Sequence, residues 1–137
     1  MTLAGSPLID LQCVLDERGS LIVGEVDCHV PFPIRRFFVV TDVPAGELRG
    51  AHAHKDQHQM LVCLKGSVQV SLESGRDDWA VTLDGPTKGL HIPPGIWAEQ
   101  TYSGPDAVLL VLCDAAYDEA DYIRDHAAFL DWAQQER

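Results

Sequence analysis

Positive charge is scarce in this chain. Lys and Arg number 10 against 21 Asp and Glu, for a formal net charge of −11. That balance excludes a general nucleic-acid or anionic-membrane binder, since both need a basic surface. It leaves room for a small anionic ligand, which a local cluster of cations can hold inside an acidic protein. Cysteine is sparse and scattered: Cys13, Cys28, Cys63 and Cys113 include no Cys-x-x-Cys pair. A disulfide framework or structural zinc is therefore not expected, and Cys63 and Cys113, set in apolar runs, read as small buried hydrophobes. No stretch has the uninterrupted apolar length of a membrane span, and the N-terminus lacks a basic-then-apolar signal, so a cytoplasmic protein is expected. Internal repeats and low-complexity linkers are also missing. At 137 residues and 46% hydrophobic, the chain is expected to form a single domain over 1–137 with a real core.

The remaining pattern is that of many short strands. Leu8–Leu15 and Ser20–Val23, joined by Asp16-Glu17-Arg18-Gly19, read as an N-terminal hairpin. Ile34–Val43 is rich in β-branched and aromatic residues and reads as a strand after the stiff Val30-Pro31-Phe32-Pro33 connector. Ser67-Val68-Gln69-Val70-Ser71-Leu72-Glu73 alternates cleanly and follows a tight Lys65-Gly66 link. Trp79–Leu83 is a short strand, and Gly89–Trp97 is a strand ending at the Pro93-Pro94-Gly95 corner. Ala107–Cys113 is a continuous apolar run, expected to be buried on both faces. From Asp118 the acidic residues suit a helix start, and Tyr122, Ile123, His126, Phe129, Leu130 and Ala133 recur at helical spacing. The expectation is an all-β barrel or jelly roll, with strands over roughly 8–113 and one short C-terminal helix over roughly 118–135.

One stretch carries chemistry: Gly46-Glu47-Leu48-Arg49-Gly50-Ala51-His52-Ala53-His54-Lys55. On a strand His52 and His54 face the same way, two residues apart, with Arg49 before them and Lys55 after. Imidazole accepts and returns a proton near neutral pH. A same-face pair beside cations therefore suits proton transfer on a carbon next to a carbonyl, with nearby donors holding the enolate. Arg and Lys at the mouth suit a diphosphate.

The spacing Gly46-x5-His52-x-His54-x4-Gln59-x6-Gly66 matches the first cupin motif, with Gln59 where metal-binding cupins carry a glutamate ligand. The second motif reads Pro93-Pro94-Gly95-Ile96-Trp97-Ala98, with Ala98 where a ligating histidine would fall. Two of the four usual ligands are thus replaced. A metal site would need His58, which is out of phase with the pair on a regular strand. His29, His58, His91 and His126 read as surface or interface residues.

The chain resembles the sugar 3,4-ketoisomerases of the WxcM-like cupin family, which act on TDP-4-keto-6-deoxyglucose. The resemblance is carried by Arg49–Lys55, Gln59–Ser67, Gly89–Trp97, Val108–Leu112 and Tyr117-Asp118-Glu119-Ala120-Asp121-Tyr122-Ile123-Arg124, and extends from about Leu8 to Leu130. It implies a cupin, RmlC-like jelly roll that forms a homodimer with exchanged N-terminal strands and needs no metal or other cofactor. The implied reaction moves a ketone from C4 to C3 of a TDP-4-keto-6-deoxyhexose through an enediol, in deoxyaminosugar biosynthesis. On that basis His52 and His54 are the catalytic pair, with His52 removing the C3 proton. Arg49 steadies the diphosphate or the enolate, and Arg36, Lys55, Gln59, Trp97 and Tyr102 line the site. Two departures stand out: Phe38 where the family often has tyrosine, and Ala98. A 3,5-epimerase-type enzyme and a non-catalytic nucleotide-sugar binder are the competing readings.

Overall fold

The computed structural model describes residues 7–136. Its strands are β1 (Leu8–Asp10), β2 (Gln12–Asp16), β3 (Gly19–Val23), β4 (Arg36–Val40), β5 (Leu48–His54), β6 (Gln59–Lys65), β7 (Val68–Glu73), β8 (Asp78–Leu83), β9 (Lys88–Ile92), β10 (Trp97–Tyr102), β11 (Val108–Cys113) and β12 (Tyr122–Ile123). One helix, α1 (His126–Gln135), follows. Two five-stranded antiparallel sheets, ordered β1-β9-β6-β11-β4 and β12-β5-β10-β7-β8, make the jelly roll, and β2-β3 forms a separate hairpin.

Period-two patterning places the core between the sheets. In β7, Val68, Val70 and Leu72 are buried while Gln69 and Ser71 are exposed. They meet Leu61 and Cys63 of β6, Leu90 and Ile92 of β9, and Leu109 and Val111 of β11 in one apolar cluster. The apolar run of β11 is less symmetric than its composition suggests. Leu109, Val111 and Cys113 face this core, while Val108, Leu110 and Leu112 are only half-buried on the other side. Val30, Phe32, Met60 and Val62 pack there, against Leu110 and Leu112.

Three elements differ from expectation. The N-terminal hairpin is β2-β3 alone: β1 leaves it to pair with β9, Leu8 opposite Leu90, and Leu11 donates to the Thr87 carbonyl instead. Trp97–Tyr102 is a full strand, because the Pro-Pro-Gly corner turns the chain rather than ending the sheet. Gly95 takes φ +83° there and its N–H reaches the His54 carbonyl at 2.8 Å. The C-terminal helix starts at His126, not near Asp118. Asp118 caps only a 3₁₀ turn, Glu119–Asp121, after which Tyr122 and Ile123 pair with His54 and Ala53. The helix cap is Asp125, whose carboxylate accepts the Ala128 N–H at 3.1 Å. Backbone pairing to β5 outweighs the helical spacing of Tyr122 and Ile123.

α1 buries Phe129 and Ala133 against Ala53, Trp97 and Ile123, forming a second apolar cluster on the outer face of the β5/β10 sheet. The outer face of β5 is therefore covered.

Candidate active site

His52 and His54 share the inner face of β5, with ring centroids 4.9 Å apart and edge-to-face. Arg49, three residues before His52, should face the opposite side on a regular strand. The β5/β10 register explains why it does not. His52 lies opposite Ala98 and Arg49 opposite Gln100, so three steps along β5 match two along β10. Gly50 lies in this bulge at φ +75°, and a Cβ there would come within 3.0 Å of the Gln100 side-chain nitrogen. Arg49 thus joins the histidine wall, exposed at its far end beside buried Gln100 and Tyr102.

His54 is 5% exposed, and its Nδ1 lies 2.9 Å from Asp121 Oδ2. The same carboxylate accepts the backbone N–H groups of Asp56 at 2.7 Å and Gln57 at 3.3 Å. With Nδ1–H donated to Asp121, Nε2 of His54 carries the lone pair. That nitrogen is buried and has no hydrogen-bond partner among the described residues. Burial pulls the His54 pKa below its ordinary 6.5, and the hydrogen bond to Asp121 opposes the shift. Burial pushes His52 further, to about 4, helped by His54 and then by the Arg124 charge. Both imidazoles are therefore neutral at pH 7, the form that accepts protons.

Tyr122 sits over the pair, its ring 5.0 Å from His52 and 4.4 Å from His54. Arg124 lies 4.2 Å from the centre of the Tyr122 ring and forms a two-pronged ion pair with Glu119, at 2.7 and 2.9 Å. The Tyr117 hydroxyl donates to the same carboxylate. These donors hold Glu119 down to about 2, Arg124 first. A phenol thus stands beside the histidines even though β4 presents Phe38.

The facing sheet contributes Arg36, Gln59 and Cys113. Arg36 Nη2 donates to Gln57 Oε1 at 2.9 Å and approaches Cys113 Sγ at 3.6 Å. Its guanidinium lies 5.4 Å from the Phe38 ring and 5.7 Å from the Tyr117 ring. Buried Gln59 donates to Cys113 Sγ at 3.6 Å.

Not every expected lining residue reaches this wall. Lys55 follows β5 out of the site: it is exposed, and it borders hollows lined by Trp132 and, on either side of it, Tyr122 and Ala133. Trp97 is opposite in phase to Ala98, so its ring packs outward on Phe129, 5.7 Å between centroids, and its N–H donates to Glu99 at 2.8 Å. Tyr102 faces inward, but it is 1% exposed and its hydroxyl is spent on Gln100 Oε1 at 2.7 Å; burial raises it to about 12. It supports the wall from behind. His58 points away from the pair, its Nδ1 3.0 Å from His91 Nε2 in a stacked arrangement near Phe32. Among the described residues no group of three or more His, Cys, Asp and Glu is gathered to hold a metal ion.

Sequence reasoning did not assign roles to Gln57, Glu119, Asp121, Tyr122 or Arg124. His54 and Asp121 are 67 positions apart in the chain, and no periodicity connects them. The one available signal was the compact Tyr117–Arg124 block itself, unusually rich in polar and aromatic residues for a helix start.

A jelly-roll sandwich with a neutral histidine pair, a carboxylate orienting one member and cations at either end defines a cupin-type acid–base enzyme. Comparison with known proteins narrows this. Residues 4–134 match the family described as FdtA: WxcM-like, C-terminal, and the chain belongs to that family. It is 41% identical over 122 residues to a TDP-4-oxo-6-deoxy-α-D-glucose-3,4-oxoisomerase from Aneurinibacillus thermoaerophilus, covering 89% of this chain and 88% of that one. The crystal structure of QdtA, a sugar 3,4-ketoisomerase from Thermoanaerobacterium thermosaccharolyticum in complex with TDP, superposes with a TM-score of 0.90 at 37% identity, over 94% of both chains. A 3,4-ketoisomerase from Helicobacter canadensis gives 0.89 at 37% identity, over 93% of this chain and 96% of that one.

Proposed function

We propose that this protein is a sugar-nucleotide 3,4-ketoisomerase acting on a TDP-4-keto-6-deoxyhexose. The observation that carries the reading is the arrangement of two imidazoles on one wall, 4.9 Å between centroids, one of them held by Asp121 at 2.9 Å. A 3,4-ketoisomerisation needs two proton movements, one between carbons and one between oxygens. His52 takes the C3 proton: the C3–H pair becomes the C3–C4 double bond, and the C4 carbonyl pair moves onto O4. His54, with Nε2 free to accept, takes the O3 proton and returns one to O4. His52 then gives its proton, exchangeable with solvent, to C4, where the double-bond pair forms the C4–H bond, while the O3 pair closes C3=O. The relatives' names support this substrate class, and a histidine-to-asparagine variant of QdtA is described in complex with TDP-4-keto-6-deoxyglucose. Exposed Arg49 suits the diphosphate through its two-pronged fork.

The partner we propose is a second copy of the chain, exchanging the β2-β3 hairpin. Every residue of β2 is exposed, including Val14 at 46% and Leu15 at 76%, and Leu21 of β3 is 61% exposed. A lone two-stranded hairpin is marginal in water and needs such cover. We place the enzyme in the cytoplasm, where its free thiols persist.

The test is incubation of chelator-treated protein with TDP-4-keto-6-deoxyglucose in deuterated water, followed by proton NMR. The expected product has its ketone at C3 and deuterium at C4. Deuterium at C3 and C5 with the ketone still at C4 would instead indicate epimerase chemistry, and binding without exchange a non-catalytic module. His52→Asn should abolish turnover while TDP binding persists; unchanged turnover would overturn the assignment of the base.

A further inference from the structure

Arg36 is a half-buried cation with no carboxylate partner among the described residues. Holding an unpaired charge away from water is costly, and a fold retains one where an anion docks or develops. Its protein contacts are neutral: one amide oxygen, one thiol sulfur and two aromatic faces. They fix the guanidinium without quenching it.

Among the described residues, three buried side-chain polar atoms lack a hydrogen-bond partner: Nε of Arg36, Nε2 of Gln57 and Nε2 of His54. They belong to one connected group. Gln57, only 2% exposed, binds Arg36 through its side-chain oxygen, and its backbone N–H shares the Asp121 carboxylate with His54. Buried polar groups are almost always satisfied, so three exceptions on hydrogen-bond-linked residues call for a common explanation. Two are N–H donors and the third is an imidazole acceptor. That set complements a planar species with negative oxygen for the donors and a hydroxyl proton for the acceptor.

We propose that Arg36 and Gln57 form the oxyanion-holding set of this enzyme, donating from Nε and Nε2 to the enediolate oxygens while His54 Nε2 accepts the sugar hydroxyl proton. The inference rests on the ketoisomerase reading and assigns Arg36 to the reacting carbons rather than to the diphosphate. A solvated diphosphate suits exposed Arg49 instead. Neutral donors and a quenched-free cation act more strongly on charge that develops in the transition state than on the ground-state ketone. The pair should therefore govern kcat more than KM.

The discriminating variant is Gln57→Glu. It preserves the link to Arg36 and converts it to an ion pair, so a purely structural role would be kept or strengthened. It also neutralises the cation and removes the amide donor. With TDP-4-keto-6-deoxyglucose, kcat should fall about 10²-fold or more, while KM and TDP affinity stay within about threefold of wild type and the melting temperature does not drop. Arg36→Lys keeps the charge and loses Nε–H; it should lower kcat at least about tenfold and stands in if Gln57→Glu melts early. A kcat within about threefold of wild type in these variants overturns the proposal, as does a loss carried by KM and TDP affinity together. If the wild-type protein neither turns over nor exchanges deuterium, the ketoisomerase reading fails first, and this inference with it.

Discussion

Replacing Asp121 by asparagine isolates the positioning of His54. The side chain keeps its shape and loses its charge. In the native site the carboxylate accepts from three donors, His54 Nδ1 at 2.9 Å and the N–H groups of Asp56 and Gln57. An amide has one acceptor oxygen, which the shorter bond from Asp56, 2.7 Å, will hold. Its NH₂ then faces Nδ1, and two donors cannot share one hydrogen bond. His54 resolves the conflict by moving its proton to Nε2, where the acceptor is needed. The wrong tautomer on an otherwise intact acid–base residue costs about 10²–10⁴ in kcat, or roughly 2.7–5.5 kcal/mol of barrier. Stability falls less, by about 1.5–3 kcal/mol for one hydrogen bond to a charged group, within what a domain of this size survives. Steady-state turnover of TDP-4-keto-6-deoxyglucose gives the first number and thermal melting the second. Nitrogen NMR of the imidazoles reads the tautomer directly, which a merely structural role for Asp121 would leave unchanged. Turnover within about threefold of wild type, or a native tautomer in a crippled variant, refutes the reasoning.

Other perturbations follow from the same geometry. Burial pushes His52 to about 4 in the folded state against 6.5 when free, so the unfolded chain binds the extra proton between those values; the stability is fully present and flat above pH 7 and is lost as pH falls from about 6.5 to about 4. Urea melts across that range check it, and the acid limb of kcat/KM should lie below the free value of 6.5, since both imidazoles are shifted downward; a limb centred at 6.5 or above would contradict it. Gly50→Ala places a Cβ at φ +75° and 3.0 Å from Gln100, costing about 1–2 kcal/mol. Because the bulge turns Arg49 onto the histidine wall, this variant should also raise KM for the sugar nucleotide, and an unchanged KM would separate Arg49 from binding. Phe129→Ala empties a fully buried site beneath β5 and β12 and should cost about 3–5 kcal/mol, read as a lowered melting temperature with kcat retained well below the melt.

What was legible in the sequence is what repeats locally. The alternation in Val68–Glu73, the Gly and Pro turns and the His-x-His spacing each need only a few neighbouring residues to be read, and each lies where the pattern puts it. The jelly-roll class follows from those short strands. What was not legible depends on pairing between distant segments. Trp97–Tyr102 alternates, but its inward set is Ala98, Gln100 and Tyr102, too polar to read as a core strand until β5 and β7 flank it. Tyr122 and Ile123 carry helical spacing, and their strand state comes from the edge that β5 leaves open. The bulge that brings Arg49 into phase is a relation between two strands, visible in neither alone. For the same reason, spacing alone could not tell Lys55 and Trp97, which face outward, from residues of the wall.

These long-range pairings show why the site and the fold are hard to separate here. β5 reads Leu48-Arg49-Gly50-Ala51-His52-Ala53-His54, and its two faces have different duties. The inner face carries the imidazoles. The outer face carries Ala53, which is fully buried against Trp97, Ile123 and Phe129. A larger side chain at Ala53 would push α1 and β12 off the strand. It is β12 that places Tyr122 over the rings and Asp121 against His54, so displacement of the outer layer would release the inner chemistry. Asp121 strengthens this coupling, because its carboxylate also ties down the Asp56 and Gln57 backbone at the turn into β6, and its carbonyl accepts the Lys55 N–H at 3.0 Å. The alanine between the histidines is thus constrained by the same reaction as the histidines themselves, although it touches no substrate.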